Sequence, residues 1–445
     1  MALFPWREIG RLIIESFPLY IQQSERLLIV SVVLLLVFMQ YRRMAGIEQR
    51  VFGVPLSDPL RNTLAALGAG FLGGLLATFL FVFLGISLMD AGIGYLWLLA
   101  IALMMVHPRF ICFAYAGGIL SVTHLLFGWP GLSVPAIMAL VAVLHLVESL
   151  LILLHGPTGA TPVYVRRPDG RVVGGFTMQK FWPMPFIALV AFMIGQDMLA
   201  DLTLPMPGWW PLIKPQEPPP PGMTYVYVLF PVVAALGYGD IAITRDPRTK
   251  ARRTAGLLFG YSVVLMALAL AGGAGFGAAG GPGRTTGFAG IPAAVWQWLA
   301  ALFSPLGHEL VIYLGRREEE KGRPFYDAAR GAVVLGVIPG TPAAEMGLRR
   351  GDVIVSINGF PVRSRQELQD VLTPWAVDVR VVVSSLHTGE ERTVHYPGKI
   401  PPFGVILAPE PTDPGFMALD DGGYGLVLRR FGRRLARLWA GRGSR

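Results

Sequence analysis

The residues of this 445-residue chain that could do chemistry are few, and they sit in or beside hydrophobic runs: His124, His145, Glu148, Asp197, Asp240, His308 and Glu309. Ionisable groups within a membrane are costly and default to functional candidates. His308-Glu309 is the sharpest pair, because H-E-x-x-H on one helix sets two imidazoles one turn apart for zinc and a glutamate beside the metal-bound water. Ile312 occupies the position of the second histidine. That motif therefore assembles no zinc site, and no catalytic residue, metal ligand or cofactor is assigned. His145 and Glu148 stand three apart on one helical face, a spacing expected to let them hydrogen-bond to each other as structural glue. Asp197, Asp240 and His124 lie close to expected span ends, within reach of interfacial water. In a transporter, Glu148 and Asp240 would be the ion-handling pair. No Ser/His/Asp or Cys/His arrangement, phosphate loop or CxxC pair stands out, and the single cysteine, Cys112, falls inside an apolar run.

The elements that must position these groups are written for lipid. The chain is 53% hydrophobic and 15% charged, with a mean hydropathy of +0.53, which indicates an α-helical polytopic membrane domain with a modest soluble part. Residues 1–26 read as a surface segment and 27–314 as a multi-span domain of about 8–9 spans. The expected spans are Leu27–Tyr41, Leu64–Leu88, Ile93–Val106, Phe110–Phe127, Ala136–Leu154, Pro185–Leu199, Tyr225–Ile243, Ala255–Ala274 and, interrupted by Pro305, Ile291–Leu314. Alternating from a cytoplasmic loop after Tyr41 puts 14 basic residues in inside loops, Arg109 among them, and 2 in outside loops. That bias predicts a bacterial plasma-membrane protein with a cytoplasmic C-terminal domain. The net charge of +9 is explained by topology and anionic lipid, so nucleic acid is not expected as a partner. Residues 426–445 carry seven arginines opposite an apolar face, the pattern of a surface helix on anionic lipid. Val163–Phe176 reads as a hairpin around Pro168-Asp169-Gly170.

One passage dictates a compact soluble unit. In Gly331–Val362 an apolar strand ends at Pro339-Gly340-Thr341-Pro342, a helical turn follows, and Gly351-Asp352 opens a second strand closed by Asn358-Gly359. Ser364 and Glu367 form a capping box before Leu368, Val371 and Leu372, and Val377–Val383 with Arg392–Tyr396 make a hairpin. The order V-x-P-G-T-P-A-A-x-x-G-L-x-x-G-D-V-I-x-x-I-N-G resembles the PDZ domains of bacterial membrane and envelope proteins, of the site-2 protease and HtrA type. The resemblance implies a small α/β, β-rich domain over 325–411. It also implies that protein C-termini or extended peptides bind at Phe403, Gly404, Val405, Ile406 and Leu407, against Leu368 and Leu372.

Several spans followed by one PDZ domain resemble, over the whole chain, the MinJ family of cell-division topological determinants. Local runs such as HLVESLLILLHGPTGATPV, GGFTMQKFWPMP, LGYGDIAITRDPRTK and SPLGHEL carry the likeness. That resemblance implies a non-enzymatic scaffold bridging DivIVA to MinC and MinD in septum placement. The competing expectation is a site-2-type intramembrane metalloprotease, or an inactive relative, whose PDZ domain gates substrates.

Overall fold

The computed structural model describes residues 4–18, 22, 24–198, 204–215, 219–273, 287–410, 413–415 and 417–418; the expected basic helix at 426–445 lies outside them. Its helices are α1 (Trp6–Ser16), α2 (Ser24–Phe52), α3 (Pro59–Leu84), α4 (Ile93–Val106), α5 (Phe113–Phe127), α6 (Val134–His155), α7 (Pro247–Gly272) and α8 (Ala293–Lys321). Among the described residues five helices are long and apolar enough to cross a membrane: α2 from Leu27, then α3, α6, α7 and α8. Local sequence sets their starts. Asp58 caps α3 through Leu60 N–H, Ser133 caps α6 through Ala136 N–H, and Asp246 caps α7 through Arg248 and Thr249 N–H, each with a proline in the first turn. The sixth helix is apolar on every side and buried without interruption from Val134 to His145, as a central helix must be.

Two expected spans turn back inside the bundle. With 14 and 15 residues, α4 and α5 are about 21 and 22 Å long at 1.5 Å per residue, short of a hydrocarbon core of about 30 Å. A 3-10 turn at Pro108–Ile111 joins them, because proline cannot continue α4 and His107 Nδ1 accepts from Arg109 N–H. This tip meets α6 and α8 near their middles, at His145 and His308. The pair thus reads as a re-entrant helical hairpin whose turn is exposed at Pro108 and Ile111 and rests on α6 and α8 through Cys112 and Arg109. Gly118 allows the close approach of α8: a Cβ there would lie 2.5 Å from Pro305 Cδ. Ser304 Oγ donates to Ala114 O across the same contact at 2.9 Å.

Pro185–Leu199 and Tyr225–Ile243 are not helical spans. They belong to β2 (Val172–Gly195) and β3 (Met223–Ala242), paired without a register shift from Phe176 to Gly195, while β1 (Thr161–Arg166) pairs with the start of β2 around the expected 168–170 turn. The reason is legible in Pro183-Met184-Pro185. Two prolines at alternate positions break a helix but suit the outward edge of a strand, where no N–H is required. That edge lies on α3. Where β2 does carry outward N–H groups, side chains accept them: Ile187 on Thr78 Oγ1 at 2.9 Å and Ala191 on Ser87 Oγ at 3.2 Å, while Leu189 O takes Leu88 N–H. Gly70 and Gly74 leave room for the proline carbonyls, since a Cβ at Gly74 would stand 1.9 Å from Pro185 O. A Gly74→Ala variant should lose about 1–3 kcal/mol through this overlap, read as an earlier thermal unfolding transition of the detergent-solubilised protein.

The C-terminal domain forms a second sheet. Its strands are β4 (Ala332–Val337), β5 (Asp352–Ile357), β6 (Phe360–Pro361), β7 (Val377–Ser385), β8 (Glu391–Lys399) and β9 (Val405–Leu407), in the order β8-β7-β5-β4-β9 with β6 against β5. Two short helices, α9 (Pro342–Glu345) and α10 (Arg365–Val371), complete it, and Ser364 caps α10 through Glu367 N–H as its box predicts. Strand alternation gives this sheet two cores. Val334, Ile354, Leu368, Val381, Phe403 and Leu407 pack inside the domain. Val333, Leu335, Ile406 and Ala408 pack instead with Tyr326 and with Phe176 and Tyr164 of the membrane-domain side. The domain is therefore docked on the base of β1–β2 rather than tethered.

Candidate functional site

The outer strand β9 and helix α10 define the sequence-predicted groove. Gly404 has φ +81° and a Cβ there would lie 2.1 Å from Thr341 Oγ1, so glycine is required on both counts. Phe403 O accepts from Ala343 N–H and Gly404 O from Ile338 N–H. Carbonyl and following N–H point opposite ways in a trans peptide, so the N–H groups of Gly404 and Val405 are turned away from these partners. Gly404 and Ala408 bond towards β4 at 2.8 Å each, which leaves the backbone groups of Val405 and the N–H of Leu407 at the free edge of the sheet. Phe403, Leu407 and Leu368, with Val405 and Leu372 beside them, share one apolar cluster. Ile406 differs from the expectation: alternation turns its side chain to the opposite core, against the membrane-domain side.

A polar clasp that the sequence does not announce closes one end of this edge. Tyr164 on β1 donates its hydroxyl to Leu407 O at 2.9 Å. Arg365, the first residue of α10, reaches Tyr164 Oη and makes a bidentate pair with Asp413 at 3.0 and 2.8 Å. Burial pulls the Asp413 carboxyl upward, but the Arg365 guanidinium and the Glu410 N–H outweigh it and hold the group below the usual carboxylate range. A depressed folded value stabilises fully above the unfolded value of about 3.9 and is lost as pH falls through the lower folded one. Residues 408–410 and 413–415 should therefore loosen below about pH 4, with their amide hydrogen exchange rising there before that of β5 and β7.

Four of the ionisable candidates fall into two groups, whereas His124 faces Pro130 O at 2.8 Å, Asp197 lies in the turn after β2, and Glu148 on α6 joins neither. Asp240 is on β3, not at a helix end, and stands 3.6 Å from Lys250 Nζ. Lys250 also pairs with Glu319 Oε1 at 3.3 Å and donates to Gly315 O at 3.1 Å, and Glu319 Oε2 accepts Ile243 and Thr244 N–H. This buried network ties α7, α8 and the end of β3 together. The second group lies at the re-entrant tip. His145 does not bond to Glu148; its Nε2 lies 3.1 Å from Cys112 Sγ and its Nδ1 2.8 Å from Val141 O. His308 Nε2 is 3.6 Å from the same sulfur, and Glu309 is paired with Arg109 and accepts from Tyr115 Oη at 2.7 Å. Cys112, Tyr115 and Arg109 are invisible as site residues in the sequence, because spacing carries no signal for contacts across three separate helices. Arg109 sits in the turn between α4 and α5 and turns its guanidinium to Glu309 of α8.

These features define the class: a membrane protein with several candidate spanning helices and a PDZ domain, since residues 333–383 match the family model described as PDZ domain. Within that class the chain is similar to the cell division topological determinant MinJ of Bacillus subtilis (strain 168), at 24% identity over 61% of each chain. It is also 37% identical over 89 residues, 19% of this chain and 24% of the relative, to the probable cell division topological determinant MinJ of Lacticaseibacillus paracasei. A probable periplasmic serine endoprotease DegP-like of Marinomonas sp. (strain MWYL1) is 27% identical over 27% of this chain and 22% of its own length. The chain thus spans less than two thirds of the length of each of these relatives. No solved structure matches it.

Proposed function

We propose that the chain is a membrane-anchored PDZ scaffold that positions partner proteins during division-site selection at the bacterial plasma membrane. The observation that carries this is the MinJ-like sequence over 61% of the chain, joined to a domain whose outer strand keeps backbone groups for a partner. An extended peptide or protein C-terminus adds to β9 against α10. Its carboxylate is held by the N–H groups of Gly404 and Val405, and its side chains lie on Val405, Leu407, Leu368 and Leu372. Ile406 serves by holding β9 to the membrane-domain side. The family resemblance extends the reading to bridging DivIVA with MinC and MinD.

The PDZ domain, taken as 325–411, belongs on the cytoplasmic face, and the basic segment 426–445 adds contact with anionic lipid. Both corrected pairs of expected spans, the re-entrant hairpin and the β2–β3 hairpin, run out and back, so they leave the side of later segments unchanged. Arg109 drops from the loop count and the remaining inside residues still dominate. The scaffold does no hydrolysis of its own: Ile312 replaces the second histidine, and Glu309, held by Arg109 and Tyr115, is not free to act as a base. Deleting residues 331–411 should disperse a fluorescent fusion from division sites and lengthen the cells. Unchanged localisation and cell length would contradict the proposal.

A further inference from the structure

We infer that Cys112, His145 and His308 hold one borderline-soft metal ion, zinc(II), at the middle of the helical bundle, where it clamps the re-entrant tip to α6 and α8. Their ligand atoms lie within 4.8 Å of one another. The sulfur-to-nitrogen distances of 3.1 and 3.6 Å match the edge of about 3.5 Å that a tetrahedron with Zn–S of about 2.3 Å and Zn–N of about 2.0–2.1 Å requires.

Proton counting points the same way. Val141 O can only accept, so His145 Nδ1 carries the proton and Nε2 presents a lone pair to the sulfur. Tyr115 gives its hydroxyl proton to the Glu309 carboxylate, so its oxygen accepts from His308 Nδ1 at 3.3 Å and the second Nε2 is also a lone pair. Two lone pairs then face one thiol with a single proton. A bound cation satisfies all three donors, with the thiol proton released to solvent. The Val141 carbonyl and the Arg109–Glu309–Tyr115 chain are the outer partners that orient metal-binding imidazoles. Thiolate with two imidazoles selects zinc over magnesium or calcium. Because the neighbouring Glu309 is already paired, the ion acts as a structural clamp, and a water or small anion takes the fourth position.

The chain contains one cysteine, so thiol alkylation of the full-length protein in detergent reports on Cys112 alone. Zinc should slow alkylation about tenfold or more, and a chelator should reverse this, because the ion holds the sulfur. Metal analysis of the zinc-loaded, desalted protein should give about one zinc per chain. Cobalt(II) substitution should give a thiolate charge-transfer band that Cys112→Ser removes. His308→Ala should lose the zinc, and Tyr115→Phe should weaken it about 10–100-fold. Alkylation of the folded wild-type protein indifferent to zinc, or zinc content unchanged in Cys112→Ser and His308→Ala, would overturn the site.

Discussion

A Gly404→Val variant should lose the loop that begins β9, and with it partner binding, while the helical bundle stays intact. A non-glycine residue held at φ +81° is strained by about 1–3 kcal/mol. The new side chain would also overlap Thr341, whose Oγ1, Cβ and Cγ2 all lie within 2.5 Å of where its Cβ would stand. Forced overlap of this kind costs about a further 1–3 kcal/mol. The two effects separate by a second substitution. Thr341→Gly in the same chain removes the overlap and leaves the backbone strain, so it should restore part of the stability. Limited proteolysis of the full chain in detergent reads both, through cleavage within 331–410 against cleavage elsewhere.

Lys250→Ala should be the most damaging single change among the buried charges. It removes the cation shared by Glu319 and Asp240 in a site where the Lys250 and Glu319 side chains are 1% and 3% exposed. Removing one partner of a buried pair costs about 3–5 kcal/mol, because the remaining charge is left uncompensated. Lys250→Met combined with Glu319→Gln should be milder than Lys250→Ala, since no unpaired charge is then buried at that pair. Thermal unfolding in detergent micelles distinguishes the two. A Lys250→Ala protein as stable as the wild type would remove the network from the account of how β3, α7 and α8 are joined.

How far the sequence can be read depends on whether a signal is local. The C-terminal domain is legible because its turns and caps are: Asn358 and Gly359 both take positive φ, and Ser364 caps α10. The 163–176 hairpin is legible for the same reason. Hydropathy alone misreads β2 and β3, because a long apolar strand and a spanning helix are equally apolar. The alternating Pro183 and Pro185 are the available warning. Hydropathy likewise does not show that α4 and α5 are too short to cross, although their lengths and the His107-Pro108-Arg109 break point that way. For the groove, Phe403 to Leu407 and the α10 leucines are reachable from the motif order, whereas the division of Val405 and Ile406 between two cores needs the register of β9 on β4. Tyr164, Cys112 and Lys250 act across large sequence separations, and no spacing rule reaches them.

The central claim is that the chain acts at the division site through the PDZ groove, and midcell enrichment of a fluorescent full-length fusion tests it most directly. Wild type and Gly404→Val would be compared at equal abundance in the membrane. The account predicts enrichment at division sites for the wild type and an even membrane distribution for the variant. Undiminished enrichment of Gly404→Val, with its C-terminal domain shown by proteolysis to be disrupted, would contradict it.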